Sequence, residues 1–424
     1  MSVLDEFLAR TPGSRELFER ATHVMPGGST RTATFAPPYP LHLVEGRGLT
    51  VRDVDGNTYR DFLGNYTSLI LGHAHPAVVA AVEAQVRRGS AFAASTENLI
   101  ELAEEICRRV PSIERVRFAN SGTEATMFAV RAARAATGRS LIAIFDGAYH
   151  GTHDAVLPGS PGVPEAVSDL VLRLPWNDPE GVERTLKGHE TDLAAIIIEP
   201  VQGAGGVRAA DPGFLRFLRE LADRTGSLLI FDEIICFRLG YGGVQGLVGV
   251  RPDLTALGKI IGGGYPIGAF GGRADVMDRF DARRPGALSH SGTFNGNPVS
   301  AAAGLATLRE LTPAVFDRLD ALGSRLGAAV RQSIERMSLD ARINTMGSLF
   351  QVWSGNSAES ANATGASTPQ DLFLGLLLEG FAIAPRGMGA IPTVASETDM
   401  DELARAITSV LASTGRPMAV AAGI

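Results

Sequence analysis

From Ile113 to Gly272 the chain alternates short apolar runs with longer segments whose apolar residues recur at helical spacing. The runs are RVRFAN, LIAIFD, DLVLRL, AAIIIEP, SLLIFDE, TALGKII and IGAFGG. A strand with one solvated face would alternate apolar and polar residues. Continuous runs between helices predict instead an α/β domain whose mostly parallel sheet is covered on both faces. Upstream the pattern changes. MSVLDEFLARTPGSRELFER begins with a helix, and MPGGSTRTATFAPPYPLHL is too broken by Gly and Pro to remain helical. LTVRDVDGNTYRDFL alternates around Asp55-Gly56, which predicts a small antiparallel hairpin. LGHAHPAVVAAVEAQVRRG then leads through Pro76 into an amphipathic helix.

Downstream, VSAAAGLATLREL and the stretch from Ala314 to Met337 are predicted helices, with strands expected near Ser348–Val352 and Ala382–Pro385. GNSAESANATGASTPQD reads as a polar loop. The expected organisation is a segment 1–50 belonging to a small domain, a large α/β domain at 51–305, and the rest of the small α+β domain at 306–424.

Composition narrows the classes. The 424 residues are 45% hydrophobic and 20% charged, as in soluble globular proteins of two or more domains. The net charge of −7 carries no basic run, which argues against nucleic acid or an anionic membrane as partner. No apolar stretch approaches the roughly 20 residues of a membrane span. The acidic N-terminus lacks the basic start and apolar core of a secretion signal, so a cytoplasmic location is expected. The two cysteines, Cys107 and Cys236, form no disulfide framework. The histidine pairs His73/His75 and His150/His153 lack ligands at metal spacing, so no metal is expected.

In a parallel sheet ligands bind beyond the C-terminal strand ends, and here those ends carry chemistry. RVRFA is followed by Ser121, Gly122 and Thr123 at the start of a helix, where free backbone N–H groups and the helix dipole favour a phosphate; Ser121-x-x-Glu124 is also a capping box, and the two readings are compatible. LIAIFD is followed by Tyr149 on a glycine-flanked loop, an aromatic able to stack on a planar ring. AAIII ends at Glu199 and SLLIF at Asp232. A carboxylate is costly to bury there unless it meets a cation or a proton donor, such as a protonated ring nitrogen. The chain has only two lysines among its 39 basic residues. Lys187 lies in a polar stretch; Lys259 lies among Leu257, Gly258, Ile260 and Ile261, an apolar setting that lowers an ammonium's pKa, as a nucleophilic lysine requires. A phosphate seat, a stacking aromatic, an acid for a ring nitrogen and a desolvated amine together fit pyridoxal 5'-phosphate.

NSGTEA, AYHG, EPVQG, FDEI, LGKIIGGGYPIGAFGG and SGTFNGNP together resemble the class III aminotransferases of fold type I, in order and spacing, from about Met25 to the C-terminal region. The resemblance implies a homodimer with active sites at the subunit interface and small amino acid and keto acid substrates. It implies that Ser121, Gly122 and Thr123 hold the phosphate, Tyr149 stacks on the ring, Asp232 pairs with the pyridine nitrogen and Lys259 is the Schiff-base lysine. Thr293 would reach the phosphate of the neighbouring subunit. Two branches of the family compete. MPGG, LGHAHP and SPGVP are similar to glutamate-1-semialdehyde 2,1-aminomutases, whereas STRTATFAPPYPL, HSGTFN and APRG resemble β-amino acid transaminases. The loop between Tyr149 and Val171 looks shorter than the mutase's gating segment, and Pro385-Arg386-Gly387-Met388 replaces the mutase's carboxylate-bearing pattern. The expectation is therefore a β-amino acid transaminase, with Arg31 and Arg386 as the guanidinium groups that recognise carboxylates. A racemase or epimerase, and a non-catalytic regulator, are the other classes; against the regulator, no helix-turn-helix with a basic face is read before Met25.

Overall fold

A computed structural model describes residues 2–354 and 370–414, so most of the stretch read as a polar loop lies outside the described residues. The chain divides into two compact units, one formed by 1–75 with 317–424 and the other by 76–316. The dividing points thus fall at 75/76 and 316/317, not at 50/51 and 305/306. Strand pairing explains the first difference: Phe381–Ala382 lies parallel to Thr58–Asp61, so the predicted hairpin shares a sheet with the C-terminal part. At the second, one unbroken helix, Pro313–Met337, spans the dividing point.

The unit 76–316 is built on the seven predicted strands: β1 (Arg115–Ala119), β2 (Leu141–Phe145), β3 (Val171–Leu174), β4 (Leu193–Ile198), β5 (Leu228–Asp232), β6 (Leu254–Gly258) and β7 (Gly268–Gly272). Their spatial order is β1-β7-β6-β5-β4-β2-β3, and β7 runs antiparallel to both of its neighbours while the other pairings are parallel. Successive strand residues point to opposite faces, and both faces are covered. Ile142, Ile144, Ile197 and Ile230 pack with Phe128, Ala129 and Ala132 of the helix Gly122–Thr137. Ala143, Phe145, Ile196, Ile198 and Phe231 pack with Phe214, Leu218 and Leu221 of the helix Pro212–Thr225. Burying each large apolar side chain contributes about 1.5–3 kcal/mol, so these runs had to be apolar on both sides. Loops at the C-terminal strand ends are then carried by a rigid platform.

In the unit 1–75 with 317–424, Thr50–Asp53 and Thr58–Asp61 form the hairpin expected at Asp55-Gly56. Its turn is held by Asp53, whose carboxylate accepts hydrogen bonds from Asn57 N at 2.8 Å and from Tyr59 Oη at 2.8 Å. Leu43–Arg47 adds an outer strand. A second sheet joins Ala341–Met346, Leu349–Ser354 and Met388–Ala390. Phe7, Tyr39, Val51, Tyr59, Leu374 and Leu377 form this unit's core around the hairpin. Among the described residues no helix is long and apolar enough to cross a membrane.

Candidate active site

Four of the seven strand ends meet in one polar cluster, and a fifth, that of β6, carries Lys259. Asp232 closes β5 and is 3% exposed. Its Oδ2 lies 2.8 Å from Nδ1 of His150, which follows β2, and its Oδ1 accepts from Ile234 N at 3.1 Å. The His150 carbonyl accepts from Thr126 Oγ1 at 2.7 Å, which fixes the loop to the helix Gly122–Thr137. Nε2 of His150 is buried without a partner among the described residues. Burial, and then the neighbouring His150, hold His153 down at about 4.

Glu199 lies just past β4 and is 2% exposed. Both of its oxygens go to backbone, Oε2 accepting from Tyr149 N at 2.9 Å and Oε1 from Gly203 N at 3.1 Å. Burial pushes its carboxyl up to about 7, with His150 opposing the rise and Asp232 adding to it. Glu199 therefore acts on the loop that carries Tyr149. The tyrosine ring itself is half-exposed, and its hydroxyl is pushed up by burial and by the charges of Asp232 and Glu199.

Ser121 caps the helix Gly122–Thr137, its Oγ accepting from Glu124 N at 3.2 Å. The capping box is offset by one residue, since the returning Glu124 Oε2 accepts from Asn120 N at 2.6 Å, not from Ser121. Thr123 Oγ1 accepts from Thr152 N at 3.3 Å. A Cβ on Gly268 of β7 would overlap the Ser121 carbonyl oxygen, so β7 must carry glycine where it passes this turn. Lys259 follows β6 directly, half-buried, and opens the turn Lys259–Gly262. Its φ of +51° is a left-handed conformation that a lysine adopts only under constraint; its neighbours Leu257, Ile260 and Ile261 are at most 1% exposed.

Thr293 is exposed in the turn after His290. That turn is tied to the end of β1 by Asn120 Nδ2, which donates to Asn295 Oδ1 at 2.8 Å, while Asn295 Nδ2 lies 3.2 Å from His290 Nε2. Arg31 and Arg386 belong to the other unit. Arg31 is exposed, its Nη1 donating to Asn65 Oδ1 at 2.9 Å and its guanidinium carbon lying 5.8 Å from the Tyr66 ring centre. Burial raises the Tyr66 hydroxyl, and the charges of Arg31 and Arg386 pull it back.

The sequence reasoning missed His150, Asn120, Asn295 and Asn65. His150 was legible in principle: a histidine directly after Tyr149 at a strand end lies where a buried carboxylate needs a donor. The asparagines gave no signal, because their partners are 34 and 175 residues away.

The strand ends carry a helix N-terminus, a half-exposed aromatic ring, a buried carboxylate held by an imidazole and, at the end of β6, a constrained lysine. The chemistry of that donor set fits a phosphorylated, protonated heteroaromatic ring. Residues 33–414 match the family described as aminotransferase class-III. The chain belongs to the class-III aminotransferases. The aminotransferase is 42% identical to the glutamate-1-semialdehyde 2,1-aminomutase of Methanocaldococcus jannaschii, over 80% of this chain and 82% of the relative. Among solved structures it is similar to an omega-transaminase from Sphaerobacter thermophilus, with a TM-score of 0.91 and 42% identity over 95% of this chain and 98% of that one. It is also similar to a β-phenylalanine aminotransferase from Variovorax paradoxus, with a TM-score of 0.88 and 37% identity over 97% and 96% of the two chains. These are fold type I enzymes, and pyridoxal phosphate is the cofactor of the aminotransferase.

Proposed function

We propose that the enzyme moves an amino group from a β-amino acid to a 2-oxo acid, with Arg31 and Arg386 receiving carboxylates. The observation that carries this reading is the pair of arginines acting on Tyr66, neither of which has a carboxylate partner among the described residues. Exposed guanidinium groups of that kind are planar two-pronged donors suited to a carboxylate.

In this reading Ser121, Gly122 and Thr123 hold the phosphate of the cofactor, with Thr293 of a neighbouring copy reaching it in a homodimer. Asp232, oriented by His150, holds the proton on the pyridine nitrogen. Pyridoxal phosphate supplies an electron sink for the substrate carbon that bears the amine. Lys259 Nζ would take the proton from that carbon and pass it on, one amine serving as general base and then as general acid. Tyr149, set by Glu199, covers the ring.

The test is to follow the visible band of the holoenzyme while β-phenylalanine is added without any keto acid. Bleaching is expected, because the half-reaction leaves the amino group on the cofactor. A second reading, glutamate-1-semialdehyde 2,1-aminomutase, is favoured by the identity to the Methanocaldococcus jannaschii relative. A band unchanged by β-phenylalanine, with turnover of glutamate-1-semialdehyde, would establish it instead.

A further inference from the structure

We infer that Asn65 is a positioning residue for Arg31, and that the left-handed turn Gly64–Thr67 serves to mount it. The inference rests on the carboxylate-binding role proposed above for Arg31. Four successive residues have positive φ: Gly64 at +53°, Asn65 at +49°, Tyr66 at +54° and Thr67 at +76°. In this region the Cβ of an L-residue crowds the following carbonyl oxygen; glycine escapes and asparagine tolerates it, but tyrosine and β-branched threonine do not. Such a turn persists only where its surroundings over-determine it, and here they do. Asp61 Oδ1 accepts from Leu63 N at 2.8 Å and from Gly64 N at 2.9 Å, and Asp61 Oδ2 lies 2.7 Å from His73 Nε2. Thr67 N donates to Leu63 O at 2.8 Å, and Leu69 N to Gly64 O at 3.0 Å.

The strained turn delivers two side chains to one place. Asn65 Oδ1 accepts from Arg31 Nη1 at 2.9 Å, and the Tyr66 ring lies beside the same guanidinium. Tyr66 is itself anchored by its hydroxyl, which donates to the Ala33 carbonyl two residues past Arg31. The amide orientation of Asn65 follows from chemistry, since a guanidinium has only donors. A neutral acceptor fixes the direction of Arg31 without cancelling its charge. An aspartate at the same position would orient it and neutralise it together. An exposed arginine otherwise loses rotamer freedom when it binds, and an arginine already held loses less.

The experiment measures the affinity of the holoenzyme for 3-phenylpropanoate, a carboxylate without an amine, by calorimetry. Wild type is compared with Asn65→Gly, Asn65→Asp, Arg31→Ala and the double variant Arg31→Ala/Asn65→Gly. Glycine keeps the left-handed backbone at no steric cost and aspartate tolerates it, so both variants retain the turn. Asn65→Gly is expected to weaken binding about tenfold, and Asn65→Asp by more because its carboxylate competes with the ligand. The double variant should be no weaker than Arg31→Ala alone. If Arg31→Ala weakens binding but Asn65→Gly stays within about twofold of wild type, the inference falls and the role of Arg31 stands. A double variant weaker than Arg31→Ala by the full factor also overturns it, because Asn65 would then act without Arg31. If Arg31→Ala binds as wild type does, or wild type does not bind, the proposed carboxylate role falls and the inference falls with it.

Discussion

The cluster at the sheet's strand ends and the arginine patch around Tyr66 are held by opposite means. Asp232 and Glu199 are at most 3% exposed, and their carboxylate oxygens are satisfied by an imidazole and by backbone amides. Arg31 and Arg386 are exposed, and one of them is steadied by a single neutral amide on a strained turn. The first arrangement suits a group that the enzyme keeps through every turnover, since fixed dipoles in a dry site need no reorganisation. The second suits a substrate that must enter and leave, and whose charge is met only while it is bound. Under the proposed reading the arginines meet substrates that change within each cycle, which asks for adaptability, while the strand-end cluster keeps one ring, which asks for rigidity.

Four measurements break or sharpen this contrast. Removing Lys259 should cost most: Lys259→Ala is expected to lower kcat by about 10⁴-fold, or ~5.4 kcal/mol, because in the proposed reaction one amine carries both proton transfers. Single-turnover rates check it; residual activity near wild type would move the proton to another group. Gly268→Ala comes next. Its new Cβ would overlap the Ser121 carbonyl, a backbone atom that cannot swing aside, so a loss of about 3 kcal/mol and weaker retention of the cofactor are expected. Chemical denaturation of apo and holo forms measures both; a loss confined to the holo form would place the damage at the ligand alone. Arg31→Ala should raise KM for a β-amino acid roughly thirtyfold, ~2 kcal/mol, while leaving the strand-end cluster intact. An unchanged KM with a lower kcat would mean that the patch acts on the reaction step.

The smallest effect concerns pH. Burial raises the Glu199 carboxyl from 4.5 to about 7 in the folded protein. The folded state therefore holds this proton more tightly than the unfolded chain, so the group's contribution to stability is complete below pH 4.5 and is lost as pH rises through 7. Melting temperature should decline between pH 5 and 8, and Glu199→Gln should flatten part of that decline. Glu233, also pushed up to about 7 by burial, keeps its own share and serves as the internal control. A slope unaffected by Glu199→Gln would mean that Glu199 stays ionised throughout.

The strand-end cluster was legible because its grammar is local. Each chemical residue lies at the end of an apolar strand or within a few residues of it, and a parallel sheet brings those ends together whatever the loop lengths. All seven strands and the hairpin at Asp55-Gly56 were readable for the same reason, since period and turn chemistry act over a few residues. The unit boundaries were not. They depend on Phe381–Ala382 pairing with Thr58–Asp61, a contact across more than 300 residues that no local pattern encodes. The turn Gly64–Thr67 is the sharpest case. Tyr66-Thr67 has no preference for left-handed backbone, and the turn's conformation comes from Asp61 and Leu63. Where tertiary contacts override propensity, the sequence stays silent, and here that silence falls beside a proposed substrate-binding residue.

The scarcity of lysine has a practical side. Lys187 is exposed beyond the end of the helix Pro179–Leu186, whereas Lys259 is half-buried among apolar neighbours. Of the two lysines an amine-reactive reagent finds one exposed, Lys187, and one half-buried, Lys259. If the cofactor engages Lys259 as proposed, coupling to a support through lysine would tether the enzyme by Lys187. A layer immobilised through that one lysine would share a single point of attachment.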